Sequence, residues 1–99
     1  MELDLKTCPV RSPDEDGNTR DLGDELLAYD RANGRVHVLN ATAREIHLLC
    51  DGSRTLEQIA GMLVEIYGIE LVLARRDLTA TIERFVELGL VEIRPARVP

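Results

Sequence analysis

The fold is decided by residues 31–50, which read RANGRVHVLNATAREIHLLC. Asn33-Gly34 is a strong turn signal, because both residue types tolerate a positive φ. Residues 35–39 then alternate two valines with other side chains, which predicts a strand with two distinct faces. After Leu39 the apolar spacing changes from two to three or four residues. This stretch therefore predicts the second strand of a hairpin followed at once by a helix.

The residues before this stretch supply its partner strands. The run 24–30 is short and apolar and ends in acid, so it is predicted to form the other half of the hairpin. A weaker strand over 18–22 turns at Gly23, and a third strand is expected because a lone hairpin is marginal in water. Residues 1–17 hold turn formers and acids with little to bury, so we expect a flexible segment and regular structure from about Thr19.

The residues after it form three helices with apolar stripes at helical spacing. Asn40 and Thr42 both fit the N-cap of the first helix, which leaves its start open by one turn. Thr55 and Gln58 have the spacing of a capping box at the start of the second helix, and the third is predicted over 72–88. The stripes expected to face the core are Ala43, Ile46, Leu49 and Cys50, then Leu56, Ile59, Ala60, Leu63, Ile66 and Tyr67, then Leu78, Ile82, Phe85 and Val86.

The predicted order is three strands, three helices and a short closing strand over 90–93. The fold class is α+β, with a three-stranded antiparallel sheet followed by three helices, and this order resembles a winged helix-turn-helix. The domain is expected to span 18–93, between the N-terminal segment 1–17 and a tail over 94–99.

The composition argues against several classes of protein. The chain has 99 residues with 12 Lys and Arg against 18 Asp and Glu, and its net charge of −6 opposes binding to nucleic acid and to anionic membranes. No apolar run approaches the ~18 residues of a membrane span. The N-terminus alternates acidic and apolar residues and lacks the basic and then apolar pattern of a signal peptide. We therefore expect a cytoplasmic location.

The sequence contains no catalytic motif. It lacks a phosphate-binding glycine loop, a nucleophile elbow and a Cys-x-x-Cys pair. His47 and Cys50 lie three residues apart on the first helix, but a zinc site needs three or four protein ligands. We expect no enzyme activity, no metal and no cofactor. Cys8 and Cys50 are expected to be reduced in a cytoplasmic protein, although their pairing as a disulfide stays open.

Two binding functions fit this order of elements. A winged-helix DNA-binding regulator would place its third helix in the major groove, but residues 70–88 carry three arginines against four carboxylates, too little positive charge for phosphate contacts. If 35–39 is instead the outer strand, its unpaired N–H and C=O groups can accept an extended peptide as a fourth strand. The same edge, or the apolar residues 71–73, could also join two copies of the chain.

An ordered set of short motifs resembles one family. The motifs are GRVHVLNATA at 34–43, LCDG at 49–52, TLEQIA at 55–60, YG at 67–68, and Asp77 leading to ELGLV at 87–91. Together they resemble the PqqD family of small peptide chaperones, also called recognition elements for the precursors of ribosomally made, modified peptides. The similarity runs from about Pro9 to Glu92 and includes the spacing between the motifs.

The resemblance implies a binding function without catalysis. Members of this family bind the leader of a ribosomally made precursor peptide and present its core to a modifying enzyme, often a radical SAM protein. In PqqD itself the product pathway is that of pyrroloquinoline quinone. The leader adds as a strand beside the third strand and against the third helix, which correspond here to 35–39 and 72–88. The peptide-binding residues implied are Arg35, Val36, His37, Val38, Leu39, Asp77, Leu78, Thr81, Ile82, Arg84 and Phe85.

The roles on the third helix follow from its predicted faces. Asp77, Thr81, Arg84 and Leu88 flank one side and are assigned to the wall of the peptide cleft, above a floor of Leu78, Ile82 and Phe85. Two features depart from the family pattern: the acidic stretch 14–17, and LVL at 71–73, where relatives often carry Asp, Pro or Glu. The resemblance selects neither the precursor peptide nor the pathway.

Overall fold

The computed structural model describes residues 3–12, 19–30 and 33–95 of the chain. The fold class predicted from the sequence is confirmed, because a three-stranded antiparallel sheet precedes three helices, and a second, two-stranded sheet is also present. The elements are β1 (Cys8–Arg11), β2 (Thr19–Asp21), β3 (Leu26–Asp30), β4 (Arg35–Leu39), α1 (Ala41–Leu49), α2 (Leu56–Tyr67), α3 (Leu71–Glu87) and β5 (Val91–Arg94).

The three-stranded sheet has the order β2-β3-β4, with both pairs antiparallel. Leu26 lies opposite Leu39 and Asp30 opposite Arg35, so four residues connect β3 to β4. Gly34 takes a left-handed φ of 62°, whereas Asn33 keeps a negative φ and donates from its backbone and side-chain nitrogens to the Asp30 carboxylate. Only the glycine therefore uses the backbone freedom that the Asn-Gly pair suggests.

The N-terminal residues include a strand, which corrects the expectation that regular structure begins near Thr19. β1 pairs antiparallel with β5, from Cys8 opposite Arg94 to Arg11 opposite Val91. Its partner is at the far end of the chain, so the pairing leaves no local pattern that the sequence could reveal. The acidic stretch 14–17 and the tail residues 96–99 lie outside the described residues. The domain limits 18–93 stay a prediction.

The residues before β1 also complete the start of α2. The backbone N–H groups of Leu56 and Glu57 donate to the carbonyls of Thr7 and Leu5 at 2.9 and 3.0 Å. These are amides for which a helix has no internal partner. The predicted capping box is confirmed, since the Thr55 hydroxyl accepts from the Gln58 backbone N–H and the Thr55 backbone N–H donates to the Gln58 side-chain oxygen.

The other helix ends follow local rules. Asn40 is the N-cap of α1, and its side-chain oxygen accepts from the Ala43 amide at 2.9 Å, which decides between the two start sites that the sequence allows. Gly68 ends α2 with a left-handed φ of 65°. α3 begins at Leu71, one residue before the predicted start, and Glu70 makes no side-chain capping bond.

The core lies between the three-stranded sheet and the helices. The predicted stripe of α2 is wrong at Ile66 and Tyr67, which are exposed because no described element covers the last turn of that helix. Cys8 and Cys50 are both buried and unbridged. No helix in the described ranges is both long and apolar enough to cross a membrane. The core cluster comprises Leu26, Ala28, Leu39, Ile46, Leu49, Cys50, Leu56, Ile59, Ala60, Leu63, Ala74, Leu78, Ile82, Phe85, Leu90 and Val91.

Candidate functional site

β4 forms one edge of the three-stranded sheet. It pairs with β3 on one side, and no strand among residues 3–12, 19–30 and 33–95 pairs with its other side. An edge strand presents backbone N–H and C=O groups with which another extended chain can form hydrogen bonds. The five residues of β4 are the ones from which the sequence predicts peptide pairing.

The two faces of β4 differ in burial. Leu39 is 3% exposed, and Ala28, the β3 residue opposite His37, is also buried, so His37 and Leu39 lie on the face that covers the core. Val36 and Val38 lie on the opposite face and are 54% and 58% exposed. Alternate residues of a guest strand would therefore meet the helices on one face and lie beside the exposed valines on the other.

A side-chain contact links α3 to β4. Nη2 of Arg84 lies 3.4 Å from Nδ1 of His37, and this contact joins the helix to the strand. Asp77 and Thr81 lie on the same side of α3 as Arg84, because residues three, four and seven apart share a helix face. Asp77 and Arg84 are exposed and Thr81 is half-buried. We define the groove as the open edge of β4 together with these three side chains of α3.

The three apolar residues assigned to the floor lie deeper than a surface groove. Leu78, Ile82 and Phe85 are 0% exposed and belong to the core. Phe85 packs edge-on against His47, with ring centroids 5.6 Å apart. These residues therefore support α3 from beneath but offer no surface to a peptide in this structure. Their role as a contact floor stays a prediction.

His37 is the central polar side chain of the groove. Its Nε2 is buried without a hydrogen-bond partner among the described residues, and the nearest carboxylate oxygen, Oδ2 of Asp30, is 3.9 Å away. Asp30 is absent from the residues predicted from the sequence. The hairpin register could have indicated it, because Asp30 lies opposite Arg35 and hence diagonally across from His37.

His47 and Cys50 are both buried. The Cys50 thiol donates to the Ile46 carbonyl at 3.1 Å, and burial raises its pKa to about 12. The described ranges contain no cluster of three or more His, Cys, Asp or Glu side chains that could hold a metal ion.

A cavity of about 430 Å³ lies away from the groove, among residues of β1, β2 and α1. Its two arginines are already bonded within the chain. Nε of Arg44 donates to Asp21 at 2.8 Å, and this bond lowers the pKa of the Asp21 carboxyl. Nη1 of Arg11 donates to the carbonyls of His47 and Leu48 at 3.2 and 2.6 Å. The cavity therefore lies where hydrogen bonds from Arg11 join β1 to the C-terminal end of α1.

One comparison with known proteins matches the part of the chain that contains the groove. A family model described as Coenzyme PQQ synthesis protein D (PqqD) matches residues 19–91 of the 99-residue chain. The matched range contains β2, β3, β4 and all three helices, whereas β1 lies outside it. No curated protein and no solved structure matches the chain. Because the match spans well over half of the chain and includes both sides of the groove, the chain belongs to the PqqD family.

Proposed function

We propose that the chain is a non-catalytic peptide-binding protein. It receives the leader of a ribosomally synthesised precursor peptide as a strand beside β4 and presents that precursor to a modifying enzyme. The observation that carries the proposal is the open edge of β4 beside α3, with His37 and Arg84 3.4 Å apart across the junction. Family membership supports it and suggests synthesis of coenzyme PQQ as the pathway, with a radical SAM maturase as the partner enzyme.

Backbone pairing along the edge of β4 supplies part of the binding free energy without an enclosed pocket. Along an antiparallel edge, alternate residues direct their N–H and C=O groups outward, so a five-residue strand offers roughly four to six hydrogen bonds to a guest strand. Each is worth about 0.5–1.5 kcal/mol net, from which the cost of ordering the peptide is subtracted. The bonds together supply about 2–9 kcal/mol before that cost, whereas a micromolar dissociation constant needs about 8 kcal/mol, so side-chain contacts must supply the rest.

α3 offers less support for DNA binding. Nε of Arg75 donates to Glu57 at 3.0 Å, and Nε of Arg76 lies 3.6 Å from the Asp77 carboxylate. Phosphate contacts require cations that are not already neutralised, and the chain carries a net charge of −6. We therefore expect no nucleic-acid partner, and peptide binding is the function that the exposed groups of the groove favour.

The test combines peptide selection with hydrogen exchange. Binders to the full chain are selected from a display library of random twelve-residue peptides, and amide exchange of the ¹⁵N-labelled chain is measured with and without each binder. We expect alternate amides of β4 to become protected, because only the outward-facing N–H groups gain partners. A selection without binders, or binders that protect amides only outside β4, would contradict the proposal.

Proline substitutions test the same hydrogen bonds from the protein side. Val36→Pro, His37→Pro and Val38→Pro each remove one backbone donor of β4. Where the lost N–H faces the open edge, we expect affinity to fall about 2- to 12-fold per lost bond with little change in stability. Where it faces β3, we expect the free energy of unfolding to fall instead. Affinity that is unchanged at all three positions would count against strand addition. Light scattering at the assay concentration shows whether a second copy occupies the edge.

A further inference from the structure

Arg84 has no carboxylate partner among the described residues. Nη2 of its guanidinium contacts Nδ1 of His37 at 3.4 Å, and no described carboxylate oxygen lies within 4.0 Å of it. A guanidinium carries five N–H donors, so this single contact leaves most of them available at the exposed surface of α3. Four other arginines do have a carboxylate within 4.0 Å, namely Arg44, Arg54, Arg75 and Arg76.

His37 positions this cation through Nδ1, and its other ring nitrogen is buried and faces away from a guest. When Arg84 donates to Nδ1, the imidazole carries its hydrogen on Nε2, which is buried and has no partner in the described part of the chain. Asp30 lies near Nε2 at 3.9 Å, too far for a hydrogen bond, and its carboxylate accepts from Asn33. Asp30 and Arg84 contact different nitrogens of the ring, so the carboxylate does not neutralise the guanidinium by direct pairing.

Strand geometry directs one guest side chain to this pair. Residues directly opposite each other in neighbouring strands point to the same face, with Cβ atoms about 4.5–5.5 Å apart. His37 lies on the face of β4 that covers the core, and Arg84 contacts its ring there. The guest residue opposite His37 would therefore enter beside Arg84. Glu87 and Asp77 share this side of α3, at about 4.5 and 10.5 Å from Arg84 along the axis, and neither carboxylate lies within 4.0 Å of its guanidinium.

We infer that Arg84, with His37, forms a carboxylate-binding subsite, and that the bound peptide carries an aspartate or glutamate opposite His37. The inference rests on the proposed function and names the side-chain chemistry that the groove selects. A guanidinium donates to both oxygens of a carboxylate in a charge-assisted contact that a neutral amide cannot match. Because the subsite is partly exposed to solvent, we expect the contact to be worth about tenfold in affinity.

The experiment uses the binders of the display selection described above. Each acidic position of a selected peptide is changed to its amide, and the affinity of both forms is measured for the wild-type chain, Arg84→Gln, Arg84→Lys and Arg20→Gln. Arg20 is the matched control, because it is an exposed arginine of β2, at the opposite edge of the sheet. Circular dichroism checks that every variant is folded.

We expect one acidic position at which amidation weakens binding about tenfold to the wild-type chain and to Arg20→Gln, and less than twofold to Arg84→Gln. Arg84→Lys should keep part of the discrimination, because it retains the charge but loses the planar pair of donors. An equal effect on the wild-type chain and Arg84→Gln, or selected peptides without such a position, would overturn the inference.

The experiment distinguishes failure of the carboxylate-binding subsite from failure of strand addition at β4. Binders that protect β4 amides but show no preference for the acidic form would overturn the carboxylate subsite and leave strand addition in place. Binders that protect no β4 amide would overturn strand addition and the subsite together.

Discussion

Replacing Arg11 by methionine tests the junction between β1 and α1. Nη1 of Arg11 donates to the carbonyls of His47 and Leu48 at 3.2 and 2.6 Å. These residues lie in the last turn of α1, where the helix dipole is negative, and the His47 carbonyl also accepts from the Cys50 backbone N–H at 3.2 Å. Arg11→Met removes both donors and the positive charge while keeping an unbranched apolar side chain of similar reach.

The expected magnitude follows from these contacts. A hydrogen bond from a charged group contributes about 1.5–3 kcal/mol when shielded, but one of these bonds is exposed and the other only partly buried, so water replaces much of the lost donor and we expect about 0.5 kcal/mol for each bond. A cation at a helix C-terminus adds about 0.3–1 kcal/mol. We therefore expect the free energy of unfolding to fall by about 1–2 kcal/mol. For a domain of this size, such a loss lowers Tm by roughly 5–15 °C.

Urea unfolding followed by far-UV circular dichroism measures this change. Arg20→Met is the matched control, because the Arg20 side chain is exposed and forms no hydrogen bond or ion pair with the described residues, so its effect should stay within about 0.5 kcal/mol. If the two variants unfold at the same urea concentration, the reasoning is refuted, and Arg11 does not stabilise the junction.

Two further predictions concern titratable groups. Burial raises the pKa of the Cys50 thiol to about 12. Iodoacetamide at pH 8 should therefore modify Cys50 in urea but not in the folded chain, which peptide mass spectrometry measures. Rapid labelling of Cys50 under native conditions would contradict its burial. The Arg75 hydrogen bond lowers the pKa of the Glu57 carboxyl. Because the folded-state pKa lies below the unfolded one, this contribution to stability is present above the unfolded value of about 4.3 and is lost as the pH falls through the folded value. Glu57→Gln should lower the urea midpoint at pH 7 and match the wild-type chain at strongly acidic pH, and a difference that widens toward acid would be inconsistent with this sign.

The β3–β4 hairpin and the start of α1 could be predicted because their determinants are local. The bounds of the strand over 35–39 agree with the structure, since the Asn33-Gly34 turn marks its start and the change of apolar spacing after Leu39 marks its end. The capping box at Thr55 was predictable for the same reason, as its partner Gln58 is three residues away. The flank of Asp77, Thr81 and Arg84 also followed from helical spacing alone.

β1 could not be predicted, because its stability comes from distant residues. It contains Pro9 and shows no clear alternation, and its partners lie in β5 and at the end of α1. The hydrogen bonds from Leu56 and Glu57 to the N-terminal segment are likewise invisible in a linear pattern. The burial of Leu78, Ile82 and Phe85 shows a related limit, because helical spacing groups residues on a face but does not say how deeply that face is covered.

The sequence by itself determined the order of the elements from β2 onward, the ends of most helices and the two faces of β4, since each depends on residues within about one helical turn or one strand of each other. Only the tertiary structure decided that β4 is the outer strand, that Asp30 and Arg84 approach His37 from two elements, and that β1 closes onto β5. The reason is physical: edges and side-chain clusters arise where segments distant along the chain pack together, and the packing of the whole core selects those neighbours.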